Sequence, residues 1–219
     1  MKRKNRYVNP AEGEYFQFKK FAVAQDNVTW KVGTDSILLG AWCDVSDAGT
    51  ALDLGTGTGL LALMIAQRNS RANVTGVELD GHTADVARSN FANSHWAGRL
   101  SVIAEDVTSW AGKCALTYDL IVSNPPYIAS GDIECLAPDI REYEPRMALD
   151  GGVDGLDVYR RWIPHFLPLL AKGGALMLEI GHDQGVAVSG LLADSGYVSG
   201  IEVVRDYARL ERVVMCCRV

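Results

Sequence analysis

From residue 51 onward, the chain alternates short apolar segments with longer segments of helical character. The alternation predicts strands at 51–54, 74–79, 100–104, 118–123, 175–180, 198–204 and 212–217. It predicts helices at 60–67, 83–93, 156–170 and 184–195, with Gly173-Gly174 ending the third. Such alternation is typical of βαβ units, in which parallel strands form one sheet and helices cover both of its faces. The sequence therefore predicts an α/β fold.

Composition indicates one globular domain without a metal or a membrane span. The chain has 219 residues, of which 48% are hydrophobic and 22% are charged. Its five cysteines are odd in number and show no C-x-x-C spacing, so disulfides and a zinc site are not predicted. No apolar run reaches the ~18 residues that a membrane helix needs, and the charged N-terminus does not resemble a signal peptide. We expect a cytoplasmic protein.

The charge is unevenly distributed along the chain. The net charge is −6, yet residues 1–31 contain seven Lys or Arg and three acidic residues, a balance of +4 that leaves −10 for the remainder. A basic arm on an acidic body can contact nucleic acid. It can equally be a solvated terminus, and composition alone does not decide between these alternatives.

A glycine-rich turn follows the first strand of the α/β region, where such folds bind nucleotide-like ligands. The segment reads Asp53-Leu54-Gly55-Thr56-Gly57-Thr58-Gly59. The dinucleotide fingerprint G-x-G-x-x-G fails here because its last position is Leu60. A carboxylate at Asp53 favours a positively charged ligand, whereas it would repel a pyrophosphate. A nicotinamide-dependent oxidoreductase is therefore a disfavoured alternative.

Acidic residues also follow the next two strands. Glu78 ends the second strand, where an acid typically binds ribose hydroxyls, and Asp106, next to Val107, follows the third, where a side chain can reach an adenine amino group. Each acid alone is more often a helix cap or a surface charge. Their succession at strand ends beside the glycine-rich turn predicts one nucleoside-binding site.

The fourth strand runs directly into Asn124-Pro125-Pro126-Tyr127. Each proline fixes its φ angle and lacks a backbone N–H, so this segment offers carbonyls that only accept hydrogen bonds. Together with the Asn124 side-chain oxygen, these carbonyls can hold both hydrogens of a planar –NH2 group while Tyr127 covers its face. A plain Pro-Pro turn after a strand is the structural alternative.

These residues together resemble the class I S-adenosylmethionine-dependent methyltransferases that act on nitrogen. The resemblance implies a Rossmann-like fold with a seven-stranded, mostly parallel sheet whose last strand is antiparallel. It implies S-adenosylmethionine as the cofactor, with the methionine portion near Asp53 and the turn, the ribose near Glu78 and the adenine near Asp106. The cofactor-binding residues it implies are Asp53, Gly55, Thr56, Gly57, Gly59, Glu78, Asp106, Val107 and Asn124. The catalytic residues it implies are Asn124, Pro125, Pro126 and Tyr127.

Two halves of the chain resemble two subfamilies that share this tetrapeptide. Residues 16–21, 31–42 and 59–68 resemble the bacterial enzymes that methylate adenine N6 in the anticodon loop of valine tRNA. Residues 144–149, 151–156, 178–185 and 206–213 resemble the protein-glutamine N5 methyltransferases that act on release factors. The chain is thus a mosaic of two patterns.

The acceptor side of the pocket decides our expectation about the substrate. The loop after the tetrapeptide, residues 128–154, is of the glutamine type, and it predicts Glu144 and Pro145 as substrate-binding residues. We therefore expect a protein-glutamine acceptor, with tRNA adenine as the alternative and a non-catalytic cofactor-binding mosaic as a further one. We expect residues 1–45 to form a basic arm and lead-in segment that packs on a catalytic domain, residues 46–219.

Overall fold

The computed structural model describes residues 14–25, 28, 32–141 and 145–219. Its strands are β1 (Tyr15–Gln17), β2 (Ala22–Ala24), β3 (Thr50–Leu54), β4 (Asn73–Glu78), β5 (Leu100–Ala104), β6 (Tyr118–Ser123), β7 (Leu170–Glu179), β8 (Val198–Arg205) and β9 (Glu211–Arg218). Its α-helices are α1 (Thr34–Trp42), α2 (Leu60–Arg68), α3 (Gly81–Ala92), α4 (Val107–Ala111), α5 (Pro138–Arg141), α6 (Arg146–Leu149), α7 (Asp157–Phe166) and α8 (Gly185–Asp194). Three 3₁₀ helices lie at Ala97–Arg99, Ile133–Cys135 and Leu167–Leu169.

Seven of the strands form one sheet in the order β5-β4-β3-β6-β7-β9-β8. The pairs from β5 across to β7 are parallel, whereas β9 runs antiparallel to both of its neighbours. The predicted α/β fold with a seven-stranded, mostly parallel sheet and an antiparallel last strand is therefore confirmed.

The sheet is buried on both faces, which explains why its central strands are almost continuously apolar. Successive side chains of a strand point to opposite faces. Leu52 and Ile121 accordingly belong to one core cluster with α7, while Ala51 and Leu120 belong to another with α2. The sheet thus lies between two apolar layers, and the carboxyl ends of its parallel strands meet at one edge.

The predicted end of the third helix is wrong. Helix α7 ends at Phe166, and Leu167–Leu169 forms a 3₁₀ helix before β7 begins at Leu170. Pro168 lacks a backbone N–H, so it cannot extend the helical hydrogen-bond ladder. Gly173 and Gly174 lie inside β7, where Gly173 has a φ of +74° and the pairing with β6 shifts register.

The N-terminal segment contacts the sheet domain through α1. Arg68 Nη1 donates to the carbonyl oxygens of Gly40 and Cys43 at 2.7 and 2.6 Å. Gly40 also packs against Met64, so close that a Cβ there would lie 2.6 Å from the Met64 sulfur. The predicted division at residue 45 stays a prediction. Within the described ranges, no helix is both long and apolar enough to cross a membrane.

Candidate active site

A cavity of about 760 Å³ opens at the carboxyl ends of the parallel strands. Such a volume is typical of small-molecule sites. The predicted site residues that line it are Gly55, Thr56, Gly57, Glu78, Asp106, Val107, Asn124, Pro126 and Pro145. The fold therefore brings the glycine-rich turn, both strand-end acids and the tetrapeptide to one cavity.

The glycine-rich turn needs its glycines for conformation and for close packing. Gly57 has a φ of +54°, and a Cβ at this position would meet nothing within 4 Å, so its backbone is open toward a ligand. Gly59 has a φ of +86°, and a Cβ there would lie 2.3 Å from Phe91 on α3. Gly59 therefore serves the docking of the turn on α3, whereas Gly57 faces the cavity.

Asp53 lies beneath the turn and is fully buried. Its Oδ2 accepts hydrogen bonds from Thr56 Oγ1 at 2.6 Å and from the Ala62 N–H at 3.2 Å, whereas Oδ1 has no partner in the described structure. Burial raises the pKa of the Asp53 carboxyl to about 7. Asp53 is not among the residues that line the cavity, and its hydrogen bond to Thr56 connects it to the turn above it.

Glu78 ends β4 and has both carboxylate oxygens bound to backbone N–H groups. Oε2 accepts from Gly57 at 2.9 Å, and Oε1 accepts from Asp80 at 3.0 Å. Burial raises the pKa of this carboxyl above its ordinary value, although the backbone hydrogen bonds oppose that shift. Glu78 therefore fixes the turn from below and still has acceptor capacity toward the cavity.

Asp106 is both a helix cap and part of the cavity wall. Its side chain accepts from the N–H groups of Thr108 and Ser109 at the start of α4. Partial burial works against ionisation, but these bonds and the nearby Arg161 lower the pKa of the carboxyl. Capping α4 therefore does not prevent Asp106 from lining the cavity.

The charge of the cavity wall suits a cationic ligand. The acidic residues that line it are Glu78, Asp80, Asp106, Asp150 and Asp157, and in the described part of the chain Arg161 is the one Lys or Arg among the lining residues. This surplus of carboxylates attracts a sulfonium and an ammonium group and repels a pyrophosphate. The site therefore fits S-adenosylmethionine and disfavours a nicotinamide dinucleotide.

The tetrapeptide forms the wall that extends from β6. The Asn124 Nδ2 donates to Ser36 Oγ on α1 at 3.0 Å, and Pro126 lines the cavity. Pro125 and Tyr127 are not among the lining residues. The Tyr127 hydroxyl instead donates to Glu179 Oε1 at 3.3 Å, and burial together with Glu179 raises its pKa.

The loop after the tetrapeptide closes one side of the cavity. Ile128 forms a bridge to Asp150, and the Gly151 N–H donates to the Ile128 carbonyl at 2.8 Å. Pro145 lines the cavity, as the sequence predicts, whereas Glu144 lies outside the described residues. No group of metal-ligating side chains occurs within the described ranges.

Sequence reasoning missed two polar residues next to Asn124. Ser36 accepts a hydrogen bond from Asn124, which lies 88 positions away in the sequence, and no local sequence pattern reveals such a contact. Glu179 is 2% exposed and ends β7, so it follows the rule that identified Glu78, an acid at the carboxyl end of a buried parallel strand. Applied to every strand, that rule would have found Glu179.

Solved structures share this fold at low sequence identity. A methyltransferase from Pyrococcus furiosus is 18% identical with a TM-score of 0.59, and the match covers 85% of this chain and 84% of that one. TrmN from Thermus thermophilus is 21% identical with a TM-score of 0.57, over 84% of this chain and 48% of that one. At these identities the likeness concerns the fold.

Curated relatives are more similar in sequence. The tRNA1(Val) (adenine(37)-N6)-methyltransferase of Salmonella arizonae is 48% identical over 136 residues, which cover 62% of this chain and 55% of the relative. The enzyme of the same name from Citrobacter koseri is 46% identical over equal shares. The chain thus spans just over half the length of these relatives. Both relatives are named for methylation of N6 of adenine 37 in a valine tRNA.

The family-level predictions of a methyltransferase and of S-adenosylmethionine as its cofactor are confirmed by a family model that aligns with residues 30–139, half of the chain, together with the curated relatives. The chain belongs to the methyltransferase small domain family.

Proposed function

We propose that this protein transfers a methyl group from S-adenosylmethionine to N6 of an adenine in tRNA. The observation that carries the proposal is the 48% identity to an enzyme named for adenine-N6 methylation of a valine tRNA. The competing hypothesis is a protein-glutamine acceptor, which the sequence of the loop at residues 128–154 favours. The proposal is tested against this hypothesis.

The proposed reaction assigns one side of the cavity to the cofactor and the other side to the acceptor. The turn at Gly55 and Gly57, Glu78 and Asp106 form the cofactor side, with Asp53 holding the turn through Thr56. Asn124, Pro126 and Pro145 form the acceptor side. When bound, S-adenosylmethionine supplies an electrophilic methyl group.

The chain's own contribution to the reaction is to position a weak nucleophile. The lone pair of an exocyclic amino group is delocalised into the purine ring. If Asn124 Oδ1 and a carbonyl of the adjoining proline pair accept hydrogen bonds from its two N–H groups, they hold the nitrogen in place and favour the pyramidal geometry of the transition state. The same acceptors stabilise the positive charge that develops on nitrogen. Tyr127, whose hydroxyl bonds Glu179, supports this wall from behind.

The N-terminal hairpin, formed by β1 and β2, offers a surface suited to RNA. Tyr15 and Phe16 are 38% and 43% exposed, and Lys19 and Lys20 at the turn are also exposed. Aromatic rings beside lysines bind nucleic acid by stacking on bases and by neutralising phosphates.

The hairpin is also connected to the glycine-rich turn. The Ala24 N–H donates to Asn90 Oδ1 at 2.9 Å, and Asn90 Nδ2 donates to the Thr58 carbonyl at 2.9 Å. An RNA bound on the hairpin would therefore lie against a part of the fold that is fixed relative to the cavity. The basic residues before the hairpin lie outside the described ranges.

Replacing both hairpin lysines should weaken tRNA binding. We expect Lys19→Ala with Lys20→Ala to lower tRNA affinity roughly tenfold at low salt and to reduce the slope of log affinity against log salt by about 1 to 2, because two phosphate contacts are lost. Filter binding at several salt concentrations measures both quantities. Lys113→Ala with Lys172→Ala, an equal change of charge at two exposed lysines elsewhere, is the control. An unchanged slope in the hairpin variant would remove the hairpin from the RNA-binding surface.

The acceptor itself is identified by offering two substrates in parallel. The protein is incubated with tritiated S-adenosylmethionine and either total tRNA or a release factor that contains a Gly-Gly-Gln segment. We expect label in tRNA, and nuclease digestion should yield N6-methyladenosine. Label in the release factor with none in tRNA would refute the adenine proposal and support the hypothesis of a protein-glutamine acceptor.

A further inference from the structure

The Asn124 side chain lies beside two polar residues from distant parts of the chain, Ser36, which itself lines the cavity, and the buried Glu179. Ser36 on α1 accepts from its Nδ2 at 3.0 Å. Glu179 at the end of β7 lies beside the tetrapeptide, because its Oε1 accepts from the Tyr127 hydroxyl at 3.3 Å, and the nearby Asn124 amide lowers the pKa of its carboxyl. Glu179 Oε1 is bonded by Tyr127, whereas Oε2 is buried and has no hydrogen-bond partner in the described structure.

An asparagine at this place works in only one of its two amide orientations. With Oδ1 toward the cavity it accepts an N–H bond of the acceptor group, whereas with Nδ2 toward the cavity it presents a donor to a donor. The two orientations have almost the same shape, so packing alone does not choose between them. Polar neighbours must set the orientation.

Ser36 and Glu179 restrict the orientation of the Asn124 amide in different ways. A hydroxyl can donate or accept, so Ser36 alone holds the amide in place without fully selecting its orientation. An ionised carboxylate only accepts, so Glu179 favours Nδ2 on its own side of the amide. With Nδ2 toward these two residues, Oδ1 is the atom left for the cavity.

We infer that Ser36 and Glu179 are positioning residues that hold the Asn124 amide with its oxygen toward the acceptor group. The inference rests on one part of the proposed function, that Asn124 binds the –NH2 group of the acceptor. It applies equally to an adenine and to a glutamine. It also gives α1 a role in the reaction, because this helix before the sheet domain completes the surroundings of Asn124.

The groups around Glu179 predict a pH dependence. Burial and the Asp35 carboxylate on α1 raise its pKa to about 8, while Tyr127, Arg212 on β9 and Asn124 oppose that shift. The Tyr159 hydroxyl on α7 donates to the Glu179 backbone carbonyl at 2.6 Å. Below this pKa the protonated carboxyl can donate to Oδ1 and favour the unproductive orientation. The rate of transfer should therefore rise with pH through about 8.

Substitution of Ser36 tests the inference directly. We expect Ser36→Ala to lower kcat about tenfold, the usual effect of one lost hydrogen bond, with cofactor Kd within about twofold of wild type. Ser36→Thr keeps the hydroxyl and should retain most of the rate. Ser46→Ala, at an exposed serine after α1, is the matched control.

Substitution of Glu179 tests the pH dependence. Glu179→Gln cannot ionise, so its kcat should lose the rise near pH 8 that the wild type shows. If Ser36→Ala leaves kcat within about twofold, or if Glu179→Gln keeps the wild-type pH profile, the inference is overturned. If Glu179→Gln does not fold, the two Ser36 variants decide the question alone.

The experiment separates this inference from the proposed function. If the release factor is methylated and tRNA is not, the adenine proposal fails, and the same variants are assayed with the release factor. If neither acceptor is methylated, the side-chain amide signals of Asn124, assigned with Asn124→Ala, are followed by NMR. A titration near pH 8 and a shift in Ser36→Ala support positioning, and signals indifferent to both refute it.

Discussion

Asn124→Ala should lower the rate of methyl transfer by about 100- to 1,000-fold while leaving cofactor Kd within about threefold of wild type. The residue lines the cavity on the side that the proposed function assigns to the acceptor, and the proposed mechanism uses its oxygen only where charge develops on the acceptor nitrogen. A group that acts in the transition state changes kcat more than it changes ground-state binding. Single-turnover transfer and calorimetric cofactor titration measure the two quantities separately.

The matched control for this prediction is Asn93→Ala, at an exposed asparagine just after α3. It should leave both quantities unchanged. The Asn124 variant should fold, because its side chain is only half-buried. Transfer at more than a tenth of the wild-type rate would mean that Asn124 does not hold the acceptor group.

Much of the sheet could be predicted from the sequence because its strands are buried on both faces. Runs such as Leu120-Ile121-Val122 are apolar without alternation and are interrupted by turn residues, which makes them easy to locate. The start of β7 at Leu170 was missed, since two glycines inside a strand suggest a helix end. The structure accommodates them through a shift in the pairing with β6.

The candidate site could be predicted only where its residues follow a local rule. Glu78 and Asp106 are acids at the ends of strands, and the glycine-rich turn is a contiguous motif. These residues can therefore be recognised in the sequence. The contact of Ser36 with Asn124 joins α1 to the end of β6 and depends on how helices pack on the sheet. The stacking role that the motif suggested for Tyr127 stays a prediction, and its hydroxyl lies against Glu179.

The choice of acceptor could not be predicted because the tetrapeptide is common to both candidate chemistries. Asn124 and its prolines can hold the –NH2 of a glutamine amide or of an adenine in the same way. Discrimination then depends on surfaces outside the tetrapeptide, namely the hairpin of β1 and β2 and the loop at residues 128–154. Substitutions that change the acceptor specificity should therefore be sought on these two surfaces.

The cofactor side carries the second large effect. Glu78→Gln should weaken S-adenosylmethionine binding roughly 30- to 100-fold, the range for lost hydrogen bonds to a charged group. Both carboxylate oxygens of Glu78 accept from backbone N–H groups, those of Gly57 and Asp80. A glutamine must place its NH2 against one of these donors, which displaces the turn or strand end that shapes the cavity. The charge that favours a cationic ligand is lost as well.

Isothermal titration calorimetry measures this loss, and Glu202→Gln, at an exposed glutamate on β8, is the control. The pH dependence provides an independent check. Because burial raises the pKa of Glu78, its carboxylate is neutralised at a higher pH than an exposed glutamate would be. Wild-type affinity should therefore begin to fall while the pH is still above the ordinary glutamate range, and the Glu78→Gln variant should lack that decline. Normal affinity in Glu78→Gln would show that the cofactor does not depend on this carboxylate, and the assignment of the cofactor side would then have to move away from β4.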